Sequence, residues 1–382
     1  MLESFIPFAN PRAAYMERRD KILDAVVRVF DGGRYILGET VGTFEKAFAA
    51  YLGLDHAVGC ASGTDAIELA LRGLGIGRGK AVFTVSHTAV ATVAAIERAG
   101  AVPVLVDIDE ALYTMSPDSL EETILHVRET RPDLAPAAVV PVHIYGHPCD
   151  MDAILDIAAR YGLSVVEDCA QAHGARYKGK VAGTMGHAAA FSFYPTKNLG
   201  ALGDAGAVVT NDAALAAELR AQRQYGWKER YISAAPGVNS RMDPVQAAIL
   251  SVQLRHLDKD NAARRAIAAT CSAELAACGL GLPGVAAWAK HVFHLYVVRC
   301  KERPKLVCFL KNSGIGTAVH YPQPVHLQPA YRNRLPLAPN GLPATESIMN
   351  EIVSLPMFPQ IGSIDVKRVC TVLKEYFAAR EQ

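Results

Sequence analysis

One lysine stands in a setting where its amine can do chemistry. Residues 192–200 (SFYPTKNLG) run from an apolar stretch into Lys197, among small residues that allow a ligand to approach closely. Most lysines lie on the surface and bind nothing. A lysine becomes a useful nucleophile when burial in a ligand site lowers its pKa. The setting of Lys197 favours a covalent role over that of a solvated loop residue.

An acidic pair, Glu167 and Asp168, follows a second apolar stretch in residues 165–174 (VVEDCAQAHG). Acidic side chains at the carboxyl end of a parallel strand lie where open α/β sheets bind ligands. An aspartate there can pair with a protonated ring nitrogen, which keeps a pyridine ring an electron sink. The alternative is an aspartate that caps the next turn, and this segment alone leaves both readings open.

A third segment, residues 60–67 (CASGTDAI), passes from a strand through Ser-Gly-Thr into a helix. Free N–H groups and small hydroxyls at a helix N-terminus can bind a phosphate. Alone the signal is weak, because Ser or Thr caps many helices. The segment is not a P-loop, since it lacks GxxxxGK[ST].

Two other chemistries find little support. Residues 143–149 (HIYGHPC) hold zinc-type ligands, but no second cluster accompanies them at a suitable spacing, and we predict no metal. No GxSxG elbow of a serine hydrolase occurs.

The pattern around these residues predicts how they are positioned. Short apolar runs predict strands at 56–61, 81–85, 103–108, 137–144 and 164–169, with helices at 64–74, 88–99, 118–128 and 150–161 between them. Such alternation indicates βαβ units and a mainly parallel sheet. Runs 188–193 and 205–210 are joined by a turn, so the connection pattern changes there. Further predictions are helices at 16–30, 43–51, 303–313 and 364–379, strands at 292–299 and 317–321, and one long helix from Asp243 to about 278.

Composition narrows the class of protein. The 382 residues carry 39 basic and 38 acidic side chains, which favours neither nucleic acid nor an anionic membrane as partner. No run reaches the roughly 20 apolar residues of a spanning helix, and the N-terminus does not resemble a signal peptide. The eight cysteines contain no CxxC pair and are expected to be reduced. We therefore predict a cytoplasmic location.

Taken together, the segments at 62–64, 167–171 and 192–198 resemble the DegT-type sugar-nucleotide aminotransferases, a branch of the fold-type I pyridoxal-phosphate enzymes. The resemblance runs essentially end to end. It implies an α/β fold with a large domain (1–255), whose mainly parallel mixed sheet is flanked by helices, and a smaller C-terminal α+β domain (256–382).

The resemblance also implies roles for individual residues. Lys197 would form the internal aldimine with pyridoxal 5'-phosphate and then move protons as acid and base, and Asp168 would bond the pyridinium nitrogen. Gln171 would contact the ring hydroxyl, and His320 and Tyr321 would face the sugar. The phosphate would be held by Gly63, Thr64 and Ser192, together with Asn239 from the second subunit of a homodimer.

The sequence departs from the family pattern at one position. Ala89 stands where many relatives carry an aromatic residue that stacks on the cofactor ring. Either His87 supplies that face or the ring is packed differently.

The implied reaction transfers an amino group from glutamate to a keto-sugar nucleotide, and the resemblance favours a dTDP-3-keto-6-deoxyhexose as that acceptor. Alternatives are amination at C-4 of a UDP-, GDP- or dTDP-linked sugar, and amination of a keto-inositol that carries no nucleotide. A cofactor-binding transcriptional regulator is disfavoured, because such regulators carry a separate DNA-binding domain, whereas here the fold is predicted to begin within the first ten residues and the net charge is near zero.

Overall fold

The computed structural model describes residues 5–379. The chain begins with α1 (Pro11–Asp31), whose first turn is capped by the Asn10 side chain, and continues with α2 (Glu39–Leu52). Strands then alternate with helices: β1 (His56–Cys60), α3 (Gly63–Gly73), β2 (Lys80–Val85), α4 (Val90–Arg98), β3 (Val102–Val106), α5 (Pro117–Thr130), β4 (Ala135–Val139), α6 (Met151–Tyr161) and β5 (Ser164–Asp168).

After β5 the pattern changes as predicted. A short hairpin of β6 (Arg176–Tyr177) and β7 (Lys180–Val181) precedes β8 (Ala188–Ser192), which pairs antiparallel with β9 (Gly206–Thr210). Next come α7 (Ala213–Gln222), the hairpin β10 (Trp227–Glu229) and β11 (Ile232–Ser233), and α8 (Pro244–Leu254). The helix α7 and both short hairpins were not predicted.

The remaining chain forms the smaller α+β part. It contains α9 (Leu257–Leu275), β12 (Ala289–Lys290), β13 (Tyr296–Arg299), α10 (Arg303–Asn312), α11 (Pro343–Ile348), β14 (Ile352–Leu355) and α12 (Ser363–Ala378). Strands β13 and β14 pair antiparallel, and α9, α10 and α12 pack around them in one apolar cluster. The predicted boundary at 255/256 coincides with the gap between α8 and α9, and the division into domains stays a prediction.

The central sheet has seven strands in the order β1-β9-β8-β5-β4-β2-β3. Only β9 runs against its neighbours, so the predicted mainly parallel mixed sheet is confirmed. Separate apolar clusters cover its two faces, which is why the strands are apolar on both sides. On one face Phe48 of α2 meets the rings of Phe191 and Phe193 edge-on at 5.0 and 5.3 Å.

Three predicted elements have bounds that differ from those expected. The strand predicted at 137–144 stops at Val139, shortly before Pro141, which has no N–H for the ladder. The helix predicted from 243 to 278 is two helices, because a tight turn in which His256 N–H bonds the Gln253 carbonyl closes the first. The strand predicted at 292–299 starts only at Tyr296, since Phe293 has a positive φ of 44°.

The strand predicted at 317–321 is wrong. Only Ala318 pairs with Ser354 of β14, as an isolated bridge. The His320 carbonyl does not pair with β14 and instead accepts a hydrogen bond from the Tyr145 hydroxyl. Within residues 5–379, no helix is both long enough and apolar enough to cross a membrane.

Candidate active site

The predicted site residues follow the carboxyl ends of parallel strands. Gly63 comes after β1, His87 after β2, Asp168 ends β5 and Ser192 ends β8. Because these strands run in the same direction, their ends meet at one edge of the sheet, where open α/β sheets bind ligands. Lys197 lies five residues beyond β8 in a turn closed by its own N–H, which bonds the Tyr194 carbonyl at 2.8 Å.

The first turn of α3 approaches Ser192 closely enough to form a phosphate cradle. Ser62 caps the helix, its Oγ accepting from Asp65 N–H at 3.1 Å. A Cβ on Gly63 would lie 2.5 Å from Cβ of Ser192, so only glycine allows this approach. The first N–H groups of a helix have no acceptor within the helix and carry positive partial charge. Gly63, Thr64 and Ser192 therefore suit a phosphate.

Asp168 is the buried acid of the site, only 4% exposed. One carboxylate oxygen accepts from Ala170 N–H at 3.1 Å, and the other accepts from the Thr92 hydroxyl at 2.9 Å. Desolvation raises the pKa of Asp168, and these two bonds and the charge of Lys197 oppose the rise. A cationic ring nitrogen would complete the carboxylate's environment.

Lys197 is a half-buried amine, and within residues 5–379 its Nζ forms no hydrogen bond or salt bridge. Desolvation lowers the pKa of Lys197 to about 8, and the nearby Asp168 opposes that fall. At pH 7 about 10% of such amines are neutral, against about 0.03% at an unperturbed pKa. The amine is thus poised for reaction with a carbonyl compound.

A hydrogen-bond chain joins two predicted residues that are far apart in sequence. The Tyr145 hydroxyl donates to the His320 carbonyl and accepts from Nε2 of His87 at 2.6 Å. Burial lowers the pKa of His87 to about 4, so this histidine is neutral with its proton on Nε2. His87 meets Tyr145 edge-on at 83°. Whether His87 supplies the stacking face that Ala89 lacks stays a prediction.

Gln171 connects the sheet edge to the loop of His320. Its side-chain oxygen accepts from Tyr145 N–H at 2.6 Å, and its side-chain nitrogen donates to the Tyr321 hydroxyl at 3.0 Å. The charge of Asp168 contributes to the raised pKa of Tyr321, which burial brings to about 12. His320 and Tyr321 thus border the space occupied by Lys197 and Asp168.

Asn239 lies apart from the other predicted residues. Its side chain is exposed, but its neighbour Ser240 is tied to the phosphate cradle. The Ser240 hydroxyl donates to Asp65 at 2.8 Å and accepts from Ala61 N–H at 3.1 Å. This position is compatible with a role toward a second copy of the chain.

The comparisons with known proteins agree with this geometry. The model of the DegT/DnrJ/EryC1/StrS aminotransferase family matches residues 17–374. The chain belongs to that family. The predicted resemblance, the enzyme class and the cofactor, pyridoxal 5'-phosphate, are confirmed.

Individual members of this aminotransferase family are similar over almost their whole length. The dTDP-3-amino-3,4,6-trideoxy-alpha-D-glucose transaminase of Streptomyces venezuelae is 47% identical over 97% of this chain and 96% of its own. The dTDP-3-amino-3,6-dideoxy-alpha-D-galactopyranose transaminase of Aneurinibacillus thermoaerophilus is 44% identical over 97% of this chain and 99% of its own. The crystal structure of S. venezuelae DesV in complex with a ketimine intermediate superimposes with a TM-score of 0.92 at 46% identity, covering 98% of both chains.

The cofactor fits the residues present in this aminotransferase. A phosphate matches the cradle at Gly63 and Ser192, a protonated ring nitrogen matches the buried carboxylate of Asp168, and an aldehyde matches the amine of Lys197. The close contact of Gly63 with Ser192 is independent of any family comparison. The roles of the individual residues stay predictions.

Sequence reasoning missed three residues of the site. Tyr145 lies within the segment with zinc-type ligands, Asn198 is the neighbour of Lys197 in its motif, and Thr92 belongs to none of the segments that predicted the site. The Asn198 side chain donates to Asn261 at 2.7 Å and to the Val292 carbonyl at 3.2 Å, and its oxygen lies 3.1 Å from Nδ1 of His294. These bonds fix the turn that carries Lys197, and no motif signalled them.

The buried group His143, Glu167 and Cys169 resembles a set of metal ligands. The Glu167 carboxylate, however, already accepts from three N–H groups, of Gly183, Met185 and Gly186, at 2.7 to 2.8 Å, and faces Nε2 of His143 at 3.0 Å. Nδ1 of His143 accepts from Cys149 N–H, so Nε2 carries the proton. The group is better described as a hydrogen-bonded support beneath Asp168.

Proposed function

We propose that this aminotransferase transfers the amino group of glutamate to C-3 of a dTDP-linked 3-keto-6-deoxyhexose. The observation that carries the chemistry is the buried Asp168 carboxylate beside the Lys197 amine, next to the phosphate cradle. The choice of sugar rests on the two relatives described above, whose names specify dTDP-3-amino sugars.

When bound, pyridoxal phosphate supplies an aldehyde that captures amines and a protonated ring that withdraws electrons from the substrate carbon. Lys197 would hold that aldehyde covalently until an amino substrate displaces it. Its Nζ would then take a proton from the substrate carbon as a general base and return it as a general acid. The buried Asp168 carboxylate would keep the ring nitrogen protonated.

A groove of basic and aromatic side chains supports a nucleotide-linked substrate. Its lining contains four basic side chains, three aromatic side chains and one acidic side chain, Glu229. The basic and aromatic residues are Arg34, Lys228, Arg230, Arg241, Tyr225, Trp227 and Tyr231. Such cations attract a diphosphate, and such rings offer faces to a base. A keto-inositol needs neither feature, so the groove argues against that alternative.

The groove adjoins Asn239, because Gln224 of its lining pairs with Asn239 in an isolated bridge. Asn239 and much of the groove are exposed, as are Tyr35, Ile36 and Tyr231. A homodimer in which each copy presents Asn239 and this groove to the other's Lys197 would cover these apolar residues. A cytoplasmic location also stays a prediction, and it suits the eight free cysteines.

The function can be tested by separating the two half-reactions. Glutamate should convert the purified holoenzyme to its pyridoxamine form, seen as loss of the absorption band of the lysine-bound cofactor. Keto-sugars should then restore the band, and the dTDP-3-keto-6-deoxyhexose should do so fastest. Faster restoration by a 4-keto sugar, a UDP- or GDP-sugar, or a keto-inositol would identify the corresponding alternative. If the holoenzyme reacts with neither glutamate nor any other amino donor, the result would support the regulator hypothesis instead.

A further inference from the structure

Lys197 and Asp168 follow neighbouring strands, but strand pairing alone does not fix the place of the lysine amine. Asp168 is the last residue of β5 and pairs with Ala190 of β8. Lys197, by contrast, lies in a turn five residues beyond the end of β8. The proposed chemistry needs the two side chains at a set separation, because one bonds the cofactor ring and the other the aldehyde on that ring. Contacts outside the sheet must therefore hold the turn in place.

Two asparagine side chains join the turn of Lys197 to the loop that follows Asp168. Asn198, the next residue after Lys197, donates its side-chain N–H to the side-chain oxygen of Asn261 in α9 at 2.7 Å. Asn261 in turn donates its side-chain N–H to the backbone carbonyl of His173 at 2.8 Å. His173 belongs to the loop between β5 and β6. The two amides thus bridge the segments that carry the reactive lysine and the buried acid.

The direction of each hydrogen bond in this chain follows from the carbonyl groups that it meets. A backbone carbonyl can only accept, so Asn261 turns its nitrogen to His173 and its oxygen to Asn198. The Asn198 nitrogen also donates to the Val292 carbonyl at 3.2 Å, which fixes the orientation of that amide independently. The Asn198 oxygen consequently accepts from Nδ1 of His294 at 3.1 Å. All the bonds therefore run one way, from His294 to the loop after β5.

The chain is buried and closely packed. Asn261 is 1% exposed, and His294 is 5% exposed. Burial lowers the pKa of His294 well below its usual value, so the ring is neutral and its one proton is the one donated to Asn198. Gly174 has a φ of +80°, and a Cβ on it would lie 2.8 Å from the side-chain nitrogen of Asn261. Glycine is therefore needed for the loop after β5 to approach this amide.

The smaller C-terminal part of the chain supplies these contacts to the turn of Lys197. Asn261 lies in α9, and Val292 and His294 lie between β12 and β13. A buried polar network whose groups are all hydrogen-bonded holds its members rigidly. The position of the lysine turn is thereby tied to residues that follow it by more than 60 positions.

We infer that Asn198 and Asn261 are positioning residues that hold the Lys197 amine at a fixed place relative to the Asp168 carboxylate. Both amides act through the two loops that they join, without contacting the cofactor. The inference rests on the proposed function only in taking Lys197 as the residue that captures the aldehyde of the cofactor. Because Asn198 supports the lysine turn and Asn261 supports both loops, their removal should affect different measurements.

The reaction of the apoenzyme with pyridoxal, which has the aldehyde but no phosphate, tests the position of the lysine. Stopped-flow absorbance gives the capture rate, and its plateau at high pH refers to neutral lysine, so a changed pKa does not contribute. In Asn198→Leu this plateau should fall about 10- to 100-fold, because a displacement of about 1 Å has effects of that size on reactions between positioned groups. Pyridoxamine 5'-phosphate forms no bond with lysine, and its dissociation constant should stay at the wild-type value.

Asn261→Leu should differ from Asn198→Leu in one respect. It releases the loop after Asp168 as well as the lysine turn, so capture of pyridoxal should slow to a similar extent and pyridoxamine 5'-phosphate should bind roughly 10-fold more weakly. The double variant should be no slower than the slower single variant, because both changes break one chain. Asn211→Leu is the matched control. It removes an amide that accepts from Asp55 N–H at 2.9 Å, outside this chain, and should leave both measurements unchanged.

A wild-type plateau in Asn198→Leu would overturn the inference. So would equal losses of pyridoxal capture and pyridoxamine 5'-phosphate binding in that variant together with a lower melting temperature, because the amide would then only support the fold. If Asn198→Leu does not fold, Asn198→Ala decides by the same two measurements. Capture that persists in Lys197→Ala would refute the assignment of the lysine and the inference with it. Failure of every keto-sugar would count only against the proposed acceptor, since neither measurement uses a sugar.

Discussion

The hydroxyl of Thr92 donates a 2.9 Å hydrogen bond to Oδ2 of Asp168. Thr92 lies in the first turn of α4, and its hydroxyl also lies 2.9 Å from that of Thr88. Burial raises the pKa of Asp168, and the Thr92 bond is one of the contacts that oppose the rise. A residue 76 positions away in sequence thereby helps to keep Asp168 ionised.

Thr92→Val should weaken cofactor binding while leaving the fold intact. A hydrogen bond to a charged group contributes about 1.5–3 kcal/mol, so we expect the pKa of Asp168 to rise further and cofactor affinity to fall by about 10-fold or more. The acid limb of the pH–rate profile should move to higher pH. Equilibrium dialysis of pyridoxal phosphate measures the affinity, and Thr92→Ser should restore it. An unchanged affinity in Thr92→Val would show that Asp168 does not depend on this bond.

Capture of the cofactor by the apoenzyme should accelerate as pH rises toward about 8. The neutral form of Lys197 reacts, and the pKa of Lys197 is lowered to about 8, so the rate should level off above that pH. Asp168 raises this pKa, and Asp168→Asn should therefore shift the midpoint to lower pH. Stopped-flow absorbance measures both midpoints. A midpoint near the ordinary lysine value would contradict the desolvation seen here.

Lys197→Ala should abolish transamination. Loss of one acid–base group costs about 10²- to 10⁴-fold in rate, and loss of the covalent attachment adds to it. The variant should still bind pyridoxal phosphate, because the cradle and Asp168 remain. Absorbance after gel filtration distinguishes bound from free cofactor. Substantial turnover by Lys197→Ala would refute the central assignment.

Gly63→Ala should damage the phosphate cradle specifically. The new methyl group would lie 2.5 Å from Cβ and 3.1 Å from Cα of Ser192, so either Ser192 or the first turn of α3 must move. We expect weaker cofactor binding with a small loss of stability. Gly42→Ala is the matched control, since nothing lies within 4 Å of its added Cβ in α2 and the change should stabilise the helix by about 0.5–1 kcal/mol. Equal cofactor affinity in the two variants would contradict the role of Gly63.

Glu167→Gln should destabilise the fold by about 3 kcal/mol, because the amide replaces an acceptor with a donor facing buried N–H groups. Burial would raise the pKa of Glu167, but His143 and the N–H groups of Gly183 and Gly186 outweigh it and lower the pKa. Its contribution to stability is therefore full above the usual glutamate pKa and is lost as pH falls through the lowered value. Denaturant unfolding at several pH values should show a smaller acid-induced loss in the variant. Glu129→Gln, an exposed change in α5, should alter stability by less than about 0.5 kcal/mol.

The parallel sheet was predictable because each of its strand–helix units has a local pattern of apolar residues that identifies the strand and the helix. The smaller part was less predictable. Its paired strands β13 and β14 are only four residues long. The start of β13 depends on the backbone at Phe293, and the contact from Tyr145 to His320 replaces the strand predicted at 317–321; no local pattern reveals either.

The sequence by itself predicted Lys197 and Asp168 as the reactive pair and Gly63 and Ser192 as phosphate ligands. These residues lie in motifs, at strand ends whose positions follow from the local pattern. Only the tertiary structure brought Tyr145 between His87 and His320, set Thr92 against Asp168 and surrounded Arg264 with three backbone carbonyls. Such contacts join segments up to 175 residues apart, and packing of the finished fold decides them.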